Sequence, residues 1–153
     1  MKLLFEGNFY ADLLEALGQA SEVLISVFQY DHPKVQEKLL FGLRHGLRLD
    51  VVVDSQGSST CRYMGARLKE LRKAGGNVHE RSGHNHRAIF GPSGAHLTGH
   101  LHHKIIVVDR RIGYVGSMNL TRSSETNREC VMKVKGPVVK ELVQAVRDCI
   151  GDS

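Results

Sequence analysis

The chain has 153 residues, 41% of them apolar, which is enough for one continuous core and too little for two full domains. No stretch reaches the roughly 20 apolar residues that a membrane span needs, and the opening Met1-Lys2-Leu3-Leu4-Phe5-Glu6-Gly7 turns polar too early for a secretory leader, so a soluble protein is expected. Twenty-one Lys and Arg against sixteen acidic residues leave a formal charge of +5, a field that concentrates polyanions such as nucleic acid or anionic lipid head groups. The basic residues form no long run, so the same charge also fits a merely basic surface.

Leu13, Leu14 and Leu17, with Ala16 and Ala20, recur at helical spacing, and Val23 to Tyr30 is short, β-branched and apolar, which predicts a helix and then a strand. After Asp31-His32-Pro33, a helix with Val35, Leu39, Leu40 and Leu43 on one face stops at His45-Gly46. Leu49 to Asp54 follows as a second strand, completing a βαβ unit with parallel strands. Gln56 to Thr60 reads as a polar loop, Met64 to Lys73 as a second crossover helix stopped by Gly75-Gly76, and Val78 as the start of a third strand. From Arg81 to His100 the sequence has the Gly, Ser, Pro and His content of an irregular loop. Leu101 to Val108 is apolar enough for a central strand, Arg111 to Val115 can pair with it across an Asp109-Arg110 turn, and Cys130 to Val134 is another strand. Pro137 begins a helix with Val138, Leu142, Val143, Val146 and Ile150 on its apolar side. The expected fold is an α/β sandwich of one domain over residues 1–153, with a mixed, largely parallel sheet flanked by helices on both faces. Cys61, Cys130 and Cys149 fit neither a disulfide framework nor a cysteine zinc knuckle, which points to the cytoplasm or another reducing compartment.

The chemistry concentrates in His100-Leu101-His102-His103-Lys104-Ile105-Ile106-Val107-Val108-Asp109, followed by Gly116-Ser117-Met118-Asn119. On a strand, residues two apart share a face, so His102 and Lys104 project together while Leu101, His103 and Ile105 project oppositely. A core strand seldom spends two same-face positions on His and Lys, because each must be hydrated, paired or used. The bland reading of the pair is a solvated edge strand.

His102-x-Lys104-x4-Asp109, with Gly116-Ser117-x-Asn119 and a later acid, Glu129, resembles the signature of the phospholipase D superfamily. The likeness extends upstream through the first βαβ unit. It implies a phosphodiesterase that works through a covalent phosphohistidine, with no metal or other cofactor. His102 would attack phosphorus as a neutral imidazole. Lys104 and Asn119 would hold the non-bridging oxygens, with a hydrogen bond from Ser117. Glu129 is suited to accept a hydrogen bond from the other ring nitrogen of His102 and fix its tautomer. Asp109, at the strand end, reads as a structural or charge-balancing partner within the motif.

The leaving oxygen also needs a proton, which one histidine engaged as nucleophile does not conveniently donate. Members with two motifs supply a second histidine internally, and short members do so by two-fold dimerisation. One motif here implies a homodimer with a shared active site. The alternative, a piece of a two-motif enzyme, is opposed by the closing helix from Val138 to Ile150.

Arg87 and Arg122 are the candidate substrate-binding cations, and Tyr30 is a candidate for stacking, with Phe28 read as core. His84, His86, His96, His100 and His103 form a dense cluster in which zinc ligation can be imagined. A Gly-rich substrate loop with solvated histidines explains the same residues and leaves His102 free to react. A small, basic, single-motif chain points first to an endonuclease acting on DNA or RNA. A cardiolipin-type phospholipid hydrolase or phosphatidyl transferase is the alternative, and a catalytically silent nucleic-acid-binding module is a third.

Overall fold

A computed structural model describes residues 1–82, 85–87 and 96–151, and the side chains of 85–87 and 96–98 lie outside that description. The chain opens on a short strand, β1 (Lys2–Phe5), and runs directly into α1 (Glu6–Leu17), which begins earlier than its leucine spacing announces. The expected βαβ unit follows as β2 (Glu22–Val27), α2 (Pro33–Arg44) and β3 (Arg48–Asp54). A 3₁₀ turn at Gly57–Ser59 leads to α3 (Met64–Lys73) and β4 (Asn77–Arg81). The start of α2 is written in Asp31-His32-Pro33. Pro33 occupies the first turn, where no amide donor is needed, and His32 Nδ1 accepts the Val35 amide at 3.3 Å.

The stretch predicted to be irregular holds two three-residue strands, β5 (Asn85–Arg87) and β6 (His96–Thr98), paired antiparallel as a separate hairpin. Segments this short and polar carry no readable period. Then come β7 (Lys104–Val108), β8 (Ile112–Gly116), a 3₁₀ turn at Arg122–Thr126, β9 (Cys130–Lys135) and α4 (Val138–Gly151). Asp109 and Arg110 both adopt φ of 51°, the positive-φ pairing that a tight hairpin turn between β7 and β8 demands.

The seven strands order as β1-β9-β8-β7-β2-β3-β4. The sheet is mixed, in the expected α/β sandwich. Its parallel part is confined to β2-β3-β4, while β7, β8, β9 and β1 join through antiparallel pairings. The reason lies in the connections: the crossover helices α2 and α3 return the chain parallel, whereas the turn after β7 can only make a hairpin.

Alternation in the strands splits the core in two. Val23, Ile25, Val51, Val53, Ile106 and Val108 face α1, α2 and α3 through Phe9, Leu13, Val35, Leu39, Leu68 and Leu71. Leu24, Val52, Ile105 and Val107 face α4 through Val139, Val143 and Val146. Each such side chain contributes roughly 1.5–3 kcal/mol by leaving water, so both helical layers are held by the sheet. No described helix is long and apolar enough to cross a membrane.

Candidate active site

The parallel strands β2 and β3 end at the same edge of the sheet at which β7 starts, because β7 runs antiparallel to β2 and pairs Lys104 with Val27. The carboxyl ends of parallel strands, at a point where connections diverge, are where open α/β sheets gather ligands. The end of β8 and the start of β9 arrive at this edge too, bringing Ser117, Asn119 and Glu129 beside Phe28, His100, His102 and Lys104.

His102 stands two residues before β7 rather than within it, so the expected strand begins later than Leu101. The pair with Lys104 still forms. Lys104 Nζ lies 2.8 Å from Nδ1 and 3.1 Å from Nε2 of His102, and it donates to the His102 carbonyl at 3.0 Å. The two ring nitrogens point away from each other, so the ammonium bonds at most one of them and leaves the other free. Loss of hydration pushes the His102 pKa below its ordinary value, helped by the cation on Lys104 and by His100, with Asp54 opposing. Loss of hydration also lowers the Lys104 pKa, against the pull of Glu129. The shift favours the neutral imidazole, the form that carries a nucleophilic lone pair. His103 turns the other way, with Nδ1 3.4 Å from Cys149 Sγ on α4.

Asn119 is oriented by its neighbours. Its Oδ1 accepts the Gln29 amide at 3.3 Å, which fixes the otherwise ambiguous flip of the side chain and turns Nδ2, a donor, away from that contact. Gln29 is braced in turn by Nε2 donating to Thr60 Oγ1 at 2.5 Å. Ser117 is already engaged: its hydroxyl donates to Glu129 and its Oγ accepts the Cys130 amide at 3.2 Å.

Three expectations need correction. Glu129 does not meet His102; its carboxylate takes Ser117 Oγ and, at 3.3 Å, Asn127 Nδ2, because the β8–β9 ladder sets Ser117 opposite Cys130, the next residue along. Its reach into the site is electrostatic, through Lys104. Tyr30 is fully buried, donates to Gln36 Oε1 at 2.6 Å and has no face left for a ligand, since the chain turns inward to bridge Leu120. Phe28, read as core, is half-buried at the sheet edge. Its ring centroid lies 5.2 Å from His102 and 5.7 Å from His100, with Lys104 Nζ 5.9 Å above it.

Asp109 belongs to the opposite end of β7, roughly 16 Å from Lys104 at about 3.3 Å per residue. There its Oδ1 accepts the amides of Ser21 at 2.8 Å and Glu22 at 2.9 Å. It ties the turn after β7 to the start of β2 and touches none of the reacting groups. Arg122 is exposed; its amide donates to Asp31 Oδ1 at 3.0 Å, and its guanidinium makes no hydrogen bond or ion pair among the described residues. The side chains of Arg87, His86 and His96, and all of His84, lie outside the described residues. Among the described residues no group of three or more His, Cys, Asp and Glu is placed to hold a metal ion.

The sequence reading missed Asp54. Its buried carboxylate accepts the Leu101 amide at 2.7 Å and the Gln56 amide at 2.8 Å, and lies 3.5 Å from His100 Nδ1, so it anchors the approach to His102. Its place at the end of an apolar strand was the available signal. Beside Ser117 and Glu129 a hollow of about 380 Å³ opens, lined also by Phe5, Glu6, Arg128 and Cys130.

A family model described as "Cardiolipin synthase, PLD-like domain" matches residues 13–150. Cardiolipin synthase B of Escherichia coli (strain K12) is 25% identical over 156 residues, covering 94% of this chain and 37% of its own length. Mitochondrial cardiolipin hydrolase of Homo sapiens is 31% identical over 126 residues, covering 78% of this chain and 42% of its own length. This chain thus spans less than half of either curated relative. Among solved structures, Nuc of Salmonella typhimurium, titled a phospholipase D family member, superposes with a TM-score of 0.76 at 19% identity, over 97% of this chain and 92% of that one. NucT from Helicobacter pylori gives 0.81 at 15% identity, over 97% and 94%. At those identities the structural likeness speaks for the fold, and the family match over residues 13–150 speaks for descent: the chain belongs to the phospholipase D superfamily.

Proposed function

We propose that this protein is a phosphodiesterase that cleaves through a phosphohistidine on His102, with nucleic acid as its substrate and a second copy of the chain completing the site. The observation that carries this reading is the contact between His102 and Lys104 at a sheet edge to which Asn119 also comes, its Nδ2 without a hydrogen-bond partner among the described residues.

In the first displacement a ring nitrogen of His102 forms a bond to phosphorus as the bond to the leaving oxygen breaks. That oxygen takes a proton from His102 of the partner chain. Lys104 Nζ and Asn119 Nδ2 hold the non-bridging oxygens, whose charge grows in the transition state. Water then attacks phosphorus after giving a proton to the partner's imidazole, the P–N bond breaks, and the phosphoryl product leaves with His102 restored. All charge neutralisation in this scheme comes from side chains, so no metal ion takes part.

Nucleic acid is favoured by the net charge of +5 and by Arg122, exposed three residues after Asn119. A phospholipid reading stands second, carried by the names of the curated relatives, a cardiolipin synthase and a cardiolipin hydrolase. The test is one panel: purified protein with single-stranded and double-stranded DNA, RNA and cardiolipin vesicles, all in EDTA. Cleavage of nucleic acid in EDTA is the expected result. Activity restricted to cardiolipin overturns the substrate, and activity that chelation abolishes and zinc restores overturns the metal-free scheme.

A further inference from the structure

Asn119 is held by more than Gln29. Asp31 and His32 donate their amides to the Leu120 carbonyl at 2.9 and 3.1 Å, contacts that any loop docked beside β2 would make. Beneath them lies a polar group that simple docking does not require. Tyr10, on α1 and 7% exposed, places its hydroxyl 3.0 Å from the Asn119 carbonyl oxygen and 3.1 Å from that of Thr121. Its ring stacks at 4.0 Å on His32, which is 1% exposed.

The His32 ring is fixed in turn. Since Nδ1 accepts the Val35 amide, its proton sits on Nε2, which donates to Glu125 Oε1 at 2.6 Å. Side chains from α1, from the loop after β2 and from the 3₁₀ turn therefore close on the backbone either side of Asn119. A phenylalanine and an aliphatic residue could fill the same space, whereas burying a hydroxyl and an imidazole is unfavourable unless their bonds compensate.

We propose that Tyr10, backed by His32 and Glu125, is a positioning residue for Asn119: one hydroxyl proton shared between two carbonyls clamps the turn, so that the amide oriented by Gln29 is presented at the sheet edge. The inference rests on the phosphodiesterase reading for its effect on rate, and on geometry alone for the placement of Asn119. Burial raises the Tyr10 pKa far above its ordinary value, so the hydroxyl remains a donor across the working pH range.

The test is a double-mutant cycle. Tyr10→Phe keeps the ring and the stack and removes only the hydroxyl. It is expected to lower kcat on the order of 10- to 100-fold, the scale on which small misplacements act, with KM little changed. In an Asn119→Ala background the same substitution should add almost nothing, because the group it positions is gone. Losses that multiply across the two backgrounds overturn the proposal. Glu125→Ala disturbs the same chain of contacts from its exposed end and should show a smaller loss with the same dependence on Asn119. The second readout needs no activity: the side-chain amide signals of Asn119 in a ¹⁵N-labelled sample, identified by their disappearance in Asn119→Ala. They should shift or broaden in Tyr10→Phe, and unchanged signals overturn the proposal. A wild-type protein that cleaves no diester would retire the functional reading alone, and the amide signals would then decide the positioning.

Discussion

At His102 the loss of hydration disfavours the protonated ring, and the Lys104 ammonium within 3 Å acts in the same direction. The sign of the pH dependence follows. Protonated His102 has no lone pair to attack with, so kcat/KM falls as pH falls through a His102 pKa that lies below 6.5, the ordinary value. The partner's His102 must carry the proton that the leaving oxygen takes, so the rate falls again as pH rises and that imidazole loses it, and further as pH rises through a Lys104 pKa below 10.5 and the phosphate loses its cation. Lys104→Met is expected to move the His102 titration upward, followed by the imidazole Cε1 proton in NMR; a downward shift would mean that the ammonium is not the cation His102 feels. His102→Ala should abolish turnover, whereas His103→Ala, whose ring faces Cys149 on α4, should cost less than about ten-fold, since no transition-state contact is lost.

Asp109 illustrates what a motif conceals. Its place in the signature groups it with His102 and Lys104, yet it works at the far end of β7 as acceptor for two amides. Replacement by Ala leaves those donors to water and puts a less tolerant residue at φ 51°, worth about 1–2 kcal/mol together. In a chain of this length that lowers Tm by roughly 2–8 °C. Asp109→Asn keeps both the acceptor and the tolerance for positive φ, and should recover most of the loss in a thermal melt.

At the scale of elements, the parts that the sequence announced are those in which local pattern and global packing agree. Val23 to Ile25, Val51 to Val53 and Ile105 to Val108 are apolar on both faces because helices cover both faces, and Pro33 and Gly46 mark the ends of α2. The parts that escaped are long-range. β1 is a four-residue edge strand whose one strand partner among the described residues is β9, more than a hundred residues away. Phe28 and Asp54 are ordinary strand-end residues until β7 is threaded between β2 and β8. Chemical suitability points Glu129 at His102, but the β8–β9 ladder brings it to Ser117 instead.

That ladder makes its own prediction. A Cβ on Gly116 would lie 2.2 Å from the Cys130 carbonyl oxygen and 2.8 Å from the Val131 Cα, both backbone atoms that cannot yield without moving Ser117 and Glu129. On Gly113 it would meet chiefly Leu142 Cδ1 at 2.4 Å, the end of a flexible side chain. Gly116→Ala should therefore destabilise by roughly 1–3 kcal/mol as overpacking does and lower activity with it. Gly113→Ala should mainly shift α4 and leave kcat nearer to wild type, as paired melts and kinetics would show.

At the scale of the whole molecule, two properties bear on the substrate and the assembly. Contacts to several phosphates release counterions, so binding to nucleic acid should weaken steeply as salt rises, roughly as the number of phosphates neutralised. A titration of a fluorescent oligonucleotide at several salt concentrations checks it, and a flat response beside firm binding to anionic vesicles would favour the lipid reading. The assembly is tested more sharply by counting histidines. One chain offers one His102, and the proposed chemistry asks for a nucleophile and an acid at one phosphorus. If two chains share the site, a dimer of wild type with His102→Ala holds a single histidine and cannot complete the reaction. Equal amounts of the two chains, co-refolded so that they associate at random, then leave only the wild-type pairs active, about a quarter of all dimers for a two-fold assembly. If each chain carries its own site, every wild-type chain works wherever it is paired, and about half the activity remains. Sedimentation of the active species separates the two outcomes independently: turnover by a monomer removes the partner imidazole from the scheme and leaves His100, beside Asp54 and across the Phe28 ring from His102, as the group in place to donate the proton.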